Sequence, residues 1–206
     1  MSFYRDAIYP ALVERLGNPA PIQALRRRIV SHAHGTVLEI GAGSGANFPY
    51  YQLSNVKRLY ALEPNPGMLR RATEQQRRTA LEVEFLAMPG ERIPLGDARV
   101  DTVVSTFTLC TIMPVGEALS GLRRVLRPGG TLLFLENSIA MDVRVQWWQQ
   151  QWEPIHRRLF AGLSLTRDIP ALIASAGFQL ERVERVYLSR FPKSWSHCCW
   201  GMAVSA

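Results

Sequence analysis

Three glycines at alternate positions, Gly41, Gly43 and Gly45, directly follow a short apolar run and are the first candidates for a ligand site. Glycine has no Cβ, so a ligand can approach its backbone closely and the chain can turn with a positive φ. Glu39 stands near the end of the apolar run, where its carboxylate would attract a sulfonium or ammonium ligand and repel a phosphate. The pattern favours a cationic ligand, although Gly41, Gly43 and Ala46 also fit the dinucleotide-binding spacing G-x-G-x-x-A.

A second acid, Glu63, ends another apolar run, residues 58–62, about 20 residues beyond the glycines. A carboxylate at the carboxyl end of a second parallel strand accepts hydrogen bonds from both hydroxyls of a ribose. A turn over residues 88–95, with Met88 at its start, follows a third apolar run and could hold a flat base. Together these positions predict a site for a nucleoside with a cationic group.

Such a site requires an α/β framework to position it. Apolar runs alternate with amphipathic segments, which predicts a parallel, doubly wound sheet. Strands are expected at residues 36–40, 58–62, 83–87, 101–107, 131–136, 178–188 and 198–204. Helices are expected at residues 3–16, 21–33, 66–78, 114–126, 144–160 and 165–176, the last with Thr166 as its N-cap. The first two helices should cap the crevice where a substrate enters.

The composition bounds the class of protein. The chain has 206 residues, of which 47% are hydrophobic, and we expect a single domain. Its three parts are a helical cap at 1–33, a cofactor-binding core at 35–137 and substrate-side helices and strands at 138–206. No secretory or membrane-spanning run is evident, so a soluble cytoplasmic protein is expected. A monomer or weak dimer is also expected. Three cysteines do not suggest disulfides or a zinc site.

The net charge of +7 comes mainly from arginines in short clusters. Solvated helix faces explain most of them, and an anionic membrane surface or an acidic substrate is the alternative. No basic stripe is interleaved with aromatic residues, so nucleic acid is not an expected partner.

Taken together, residues 37–45, Glu63, residues 88–95 and residues 126–135 resemble the motifs of class I S-adenosylmethionine-dependent methyltransferases. The resemblance implies a Rossmann-like, mostly parallel seven-stranded sheet of order 3-2-1-4-5-7-6, with the last strand antiparallel. It also implies S-adenosylmethionine as cofactor, S-adenosylhomocysteine as product and no metal. The cofactor-binding residues expected are Glu39, Gly41, Ala42, Gly43, Gly45, Asn47, Glu63, Pro64, Met68, Pro89, Gly90, Glu91, Thr106 and Phe107.

A narrower resemblance extends to the end of the chain. It rests on short motifs: G-A-N-F at 45–48, E-P-N-P at 63–66, T-L-C at 108–110, W-Q-Q at 148–150, L-F at 159–160, L-T-R at 165–167 and G-x-A-V at 201–204. These are similar to small methyltransferases related to the membrane-anchored alkyl thiol methyltransferases, whose bacterial relatives are often called phospholipid N-methyltransferases. The sequence differs from them in lacking an N-terminal hydrophobic helix and in having Asn137 where they carry histidine.

The acceptor determines whether the enzyme needs a base. A thiol, with a pKa of about 8.5, is partly ionised at neutral pH, whereas an ammonium, with a pKa of about 10, requires a base. Candidates for catalysis are few: Arg167 to stabilise a thiolate, and His156, His197, Glu136 or Asp168 as a base. The substrate pocket is expected to use Tyr4, Leu109, Cys110, Asn137, Trp148, Trp152 and Trp195.

A small thiol is therefore the favoured acceptor. An amine, including a phosphatidylethanolamine head group at a membrane, is the first alternative. A dehydrogenase that uses NAD and a non-catalytic ligand sensor are the others.

Overall fold

Seven strands form one sheet in the computed structural model of this chain, which describes residues 18–160, 162–189 and 191–205. The strands are β1 (Gly35–Ile40), β2 (Val56–Leu62), β3 (Val83–Leu86), β4 (Val100–Thr106), β5 (Leu126–Asn137), β6 (Phe178–Tyr187) and β7 (His197–Ser205). Their order is β3-β2-β1-β4-β5-β7-β6. The first five pair in parallel, and β7 runs antiparallel to both of its neighbours. The predicted strand order and the antiparallel closure are confirmed.

Helices cover both faces of the sheet. They are α1 (Ala20–Val30), α2 (Pro66–Gln76), α3 (Val115–Val125), α4 (Val143–Leu159), α5 (Ile169–Ser175) and the single turn α6 (Lys193–Ser196). Successive strand residues point to opposite faces, so Leu38 joins one apolar core and Val37 the other. The core containing Leu38 includes residues of α3 and α5, and the core containing Val37 includes residues of α1 and α2.

Two predicted boundaries within the described residues differ from the structure by more than three residues. The strand expected from residue 131 begins at Leu126. Leu126 already pairs with Val100 of β4, and residues 127–130 form an irregularity in the ladder before Thr131 pairs with Thr102. The helix expected from residue 165 begins at Ile169, because the Asp168 carboxylate, not Thr166, caps it by accepting from the Ala171 amide at 3.2 Å. The helix predicted over residues 3–16 and Tyr4 lie outside the described residues.

The parallel strands β1, β2 and β4 all end at the same edge of the sheet. In open α/β sheets this carboxyl edge is where ligands bind. In the described part of the chain, no helix is both long enough and apolar enough to cross a membrane.

Candidate active site

A cavity of about 960 Å³ lies at the carboxyl ends of β1, β2 and β4. It is bordered by the loops that follow these strands, by the turn after β3 and by the C-terminal end of α4. The expected cofactor residues that line it are Gly41, Ala42, Gly43, Glu63, Pro64, Met68, Pro89, Gly90, Glu91, Thr106 and Phe107. Glu39, Gly45 and Asn47 are not among the lining residues, and Pro89 to Glu91 border the cavity where Met88 was expected.

The three glycines of the loop after β1 have different roles. All have positive φ, 65° at Gly41, 56° at Gly43 and 77° at Gly45. A Cβ would lie 2.2 Å from the Thr108 hydroxyl at Gly41 and 2.7 Å from the Phe48 ring at Gly45, so both are required by packing within the protein. At Gly43 the nearest atom would be 4.0 Å away. Gly43 therefore leaves open a part of the cavity that any side chain would fill.

Glu63 ties the end of β2 to the glycine loop. Its Oε2 accepts from the Gly43 amide at 3.0 Å and its Oε1 from the Asn65 amide at 2.9 Å. The side chain is largely buried, and this burial raises the pKa of Glu63, while the two amide bonds oppose the shift. Each carboxylate oxygen has a further lone pair, so Glu63 can accept from a ribose while holding the loop.

Glu39 does not line the cavity, which differs from the expectation of direct contact with a ligand. It is buried, and its oxygens accept from Asn47 Nδ2 at 2.8 Å and from the Tyr51 hydroxyl at 2.7 Å. Burial raises the pKa of Glu39 to about 7, against the effect of these two hydrogen bonds. Asn47 also donates to Thr106 Oγ1 at 3.0 Å, and Thr106 lines the cavity. Glu39 is therefore linked to the cavity wall through Asn47 and Thr106.

Arg26 is a cavity residue that the sequence reasoning missed. Its Nη1 donates to Asn47 Oδ1 at 2.8 Å and to Thr106 Oγ1 at 2.7 Å, and the side chain is 8% exposed. Its Nε is buried without a hydrogen-bond partner among the described residues, and Arg26 lines the cavity. Burial lowers the pKa of Arg26, which the charge of Glu39 opposes. A signal was present: Arg26 follows Ile22 by four residues on the buried face of α1.

Glu136, a candidate base, organises the loop after β4 instead. It is fully buried and accepts from the Ser105 hydroxyl at 2.7 Å and from the amides of Thr108, Leu109 and Cys110 at 3.1 Å each. Burial raises the pKa of Glu136, and these bonds oppose that shift. Leu109 and Cys110 are buried within this loop and do not line the cavity.

The two candidate histidines also lie away from the cavity. His156 packs between Trp195 and Phe160, with ring centroids 4.8 and 5.4 Å away, and burial lowers its pKa. His197 Nδ1 bonds to the Ser138 carbonyl at 2.8 Å. Neither lines the cavity, so neither is placed to take a proton from an acceptor in it.

Arg167 lies behind Met113 and does not reach the cavity. Its guanidinium donates to the Leu109 carbonyl and, through Nη2, contacts Met113 Sδ at 2.6 Å. Met113 lines the cavity and Arg167 does not, so Arg167 supports the wall from behind.

Four described residues that were expected in the substrate pocket, three tryptophans and Asn137, lie away from the cavity. Trp152 packs on Trp195 with ring centroids 5.5 Å apart, Trp148 is half exposed, and Asn137 accepts from the Cys198 thiol at 3.5 Å. None of these four residues lines the cavity. The last turn of α4 borders it instead, with Arg157, Arg158 and Leu159.

Comparison with known proteins identifies the family. The model of the family described as "Methyltransferase domain" matches residues 38–134. The phosphatidylethanolamine N-methyltransferase of Cereibacter sphaeroides is 31% identical over 146 residues, which cover 68% of this chain and 68% of that protein. The chain belongs to the class I S-adenosylmethionine-dependent methyltransferases.

Two further methyltransferases are similar. Human thiol S-methyltransferase TMT1B is 35% identical over 156 residues, which cover 72% of this chain; the chain spans 62% of that relative's length. A SAM-dependent methyltransferase from Aquifex aeolicus has the same fold, with a TM-score of 0.66 at 20% identity over 96% of this chain and 98% of that one.

Membership in this methyltransferase family supports S-adenosylmethionine as the cofactor and removes the reason for considering NAD. The cavity fits the cofactor, because Gly43 keeps its floor open and Glu63 offers carboxylate oxygens where a ribose would lie. Among residues 18–160, 162–189 and 191–205, no three His, Cys, Asp or Glu side chains are grouped closely enough to hold a metal ion.

Proposed function

We propose that this chain transfers the methyl group of S-adenosylmethionine to a small thiol. The proposal draws on the thiol acceptor in the name of the human relative and on the kinds of side chain that line the cavity. The acceptor sulfur forms the new bond to carbon, the electron pair of the broken bond stays on the departing sulfur, and the thiol proton goes to water.

Residues at the two ends of the cavity would hold the cofactor. Glu63 would accept from the ribose hydroxyls, and Pro89 to Glu91 would border the base. Arg26, fixed by Asn47 and Thr106, presents a buried cation suited to the carboxylate of the amino-acid end. When bound, S-adenosylmethionine supplies a methyl group on a good, neutral leaving group. The main task of these residues is therefore alignment, which can contribute up to about 7–11 kcal/mol in ideal cases.

The observation that supports the thiol assignment is that no histidine, aspartate or lysine lies among the described residues that line the cavity. Among the described lining residues, the ionisable side chains are Arg26, Tyr50, Glu63, Glu91, Arg157 and Arg158. None is a histidine, an aspartate or a lysine. A thiol can react without such a base, because a useful fraction is already ionised near neutral pH. Arg157 and Arg158 border the cavity, where their charge would favour the thiolate.

Methylation of an amine head group is the second candidate. The relative from Cereibacter sphaeroides, named for phosphatidylethanolamine, favours it. An ammonium must lose its proton before it can attack, and the carboxylates on the cavity wall, Glu63 and Glu91, would have to assist. This candidate therefore requires chemistry that the thiol reaction does not.

A direct test supplies methyl-labelled S-adenosylmethionine with alkyl thiols, primary amines or phosphatidylethanolamine vesicles and identifies the products by mass. We expect labelled methyl thioethers, and none with Gly43→Val. Methylated amine with no methyl thioether would contradict the thiol assignment and favour the second candidate.

A further inference from the structure

The outer side of α4 exposes an unusual number of large apolar side chains. The α4 face is the name we give to Met141, two residues before the helix, together with the helix residues Val143, Trp147, Trp148, Ile155 and Leu159. Each is between 47% and 75% exposed, and together they make up more than half of the large hydrophobic residues that the described part of the chain exposes. Scattered exposed hydrophobic residues are ordinary, but a group concentrated on one helix indicates an interaction surface.

The orientation of α4 is fixed from its inner side. Val145, Gln149 and His156 are buried, and Gln149 bonds to the Ala140 amide at 2.9 Å and the Ser138 carbonyl at 3.2 Å. With this side against the protein, Trp147 and Trp148 must point outward. Their rings contact each other at 4.7 Å, edge to face, and each remains 52% exposed.

Arginines lie among these apolar residues. Arg144, Arg157 and Arg158 are exposed, and none forms an ion pair with a carboxylate of the described residues. The same segment has two acids, and both are engaged with backbone amides. Asp142 caps α4, and Glu153 accepts from the Leu165 amide at 2.7 Å. The arginines beside the α4 face thus form no ion pair within the described residues and can contact an external partner.

We propose that the α4 face docks on the surface of a lipid bilayer that contains anionic lipids. Tryptophan and aliphatic side chains on one side of a helix, with arginines beside them, are typical of helices that lie in the membrane interface. The arginine stems can lie along apolar surface while their guanidinium groups reach lipid phosphates. The net charge of +7 adds attraction to an anionic surface.

Docking by this face would bring the cavity to the membrane. Arg157, Arg158 and Leu159 belong to the exposed side of α4 and also line the cavity. An acceptor dissolved in the bilayer could then enter without crossing bulk water. This consequence rests on the proposed function, whereas the docking itself does not.

Vesicle flotation of the full chain tests the docking. Vesicles are made of phosphatidylcholine alone or of equal parts phosphatidylcholine and phosphatidylglycerol. We expect flotation with the anionic vesicles, weakened by salt and much reduced with phosphatidylcholine alone. The double variant Trp147→Gln with Ile155→Gln, and separately Arg144→Glu, should each lower vesicle affinity by roughly tenfold or more.

Matched controls come from the side of the sheet where the parallel strands begin, opposite the cavity. Leu53→Gln removes an equally exposed apolar side chain before β2, and Arg99→Glu makes the same charge change before β4. Both controls should float like the wild type. All variants should bind S-adenosylhomocysteine normally, because none of the changed residues lines the cavity.

The docking would be overturned by wild-type protein that does not float with anionic vesicles, or by control variants that lose as much vesicle affinity as the α4 variants. It would also be overturned if the wild type is a dimer that the double variant dissociates, because the α4 face would then contact a second copy of the chain. Thiol methylation in vesicle-free buffer separates this proposal from the proposed function. Protein that methylates thiols without floating overturns the docking alone, and protein that floats without methylating any thiol overturns the acceptor alone.

Discussion

At the scale of single residues, Glu63 links two loops of the site with one carboxylate. It accepts from the Gly43 and Asn65 amides and lines the cavity. Glu63→Ala should weaken S-adenosylmethionine binding by about 1.5–3 kcal/mol, the scale of charged hydrogen bonds lost at a ribose. Calorimetry measures this directly, with Glu74→Ala on the exposed side of α2 as control. Unchanged affinity in the Glu63 variant would remove it from the site.

Arg26 places a cation in the cavity wall by hydrogen bonds to Asn47 and Thr106. Arg26→Lys keeps the charge but loses the planar geometry that spans both partners and the cavity. We expect cofactor affinity to fall by about 1–3 kcal/mol. Its exposed neighbour provides the matched control, Arg27→Lys, which should bind as the wild type does. If both variants bind equally well, Arg26 has only a structural role.

Substitution of Glu136 should lower the stability of the protein rather than remove a catalytic base. The Glu136 oxygens accept one hydrogen bond from the Ser105 hydroxyl near the end of β4 and three from amides of the loop that follows. In Glu136→Gln an NH₂ group would face a backbone donor, so the free energy of unfolding should fall by about 1–3 kcal/mol. Denaturant unfolding measures the loss. A variant of normal stability that has lost methyl transfer would instead indicate a direct chemical role.

At the scale of elements, the loop between β1 and the 3₁₀ turn Phe48–Tyr50 contains Gly43. Comparing a substitution there with one at Gly129 distinguishes loss of ligand space from backbone strain. Gly43 and Gly129 both have positive φ and open space where a Cβ would lie, but only Gly43 lines the cavity. Gly43→Val should abolish cofactor binding in a folded protein, and Gly129→Val should suffer similar strain yet still bind. Thermal unfolding and calorimetry on the pair measure both effects. Tight binding by Gly43→Val would mean that this loop is only a turn.

Element types could be predicted from the sequence where the signal is local. Apolar runs that end in glycine or an acid marked β1 and β2, and their order followed from the family resemblance. The start of α5 could not be predicted reliably, because Thr166 and Asp168 are both good caps and only the folded chain brings the Asp168 carboxylate to the Ala171 amide.

At the scale of the whole molecule, the largest difference between expectation and structure is that Trp148 and Trp152 of α4 do not line the cavity. The sequence shows that this helix is rich in tryptophan but not which of its sides packs against the rest of the protein. The inner contacts of Val145, Gln149 and His156 turn Trp147 and Trp148 outward and leave the C-terminal turn at the cavity. The orientation depends on contacts that are distant in sequence, so periodicity alone could not establish it.

The same arrangement removes the expected bases from the reaction. His156 and His197 are held in contacts away from the cavity. Replacing either by glutamine should therefore change the rate of methyl transfer far less than the 10²–10⁴-fold typical of a lost general base.

The most direct test of the central claim measures kcat/KM for a series of alkyl and aryl thiols from about pH 6 to about pH 9, with both histidine variants alongside. If the free thiolate is the nucleophile, the rate rises with pH in step with ionisation of each thiol, and thiols of lower pKa reach their plateau at lower pH. A midpoint that stays fixed across the series, together with loss of activity in one histidine variant, would contradict the account and show base-assisted transfer.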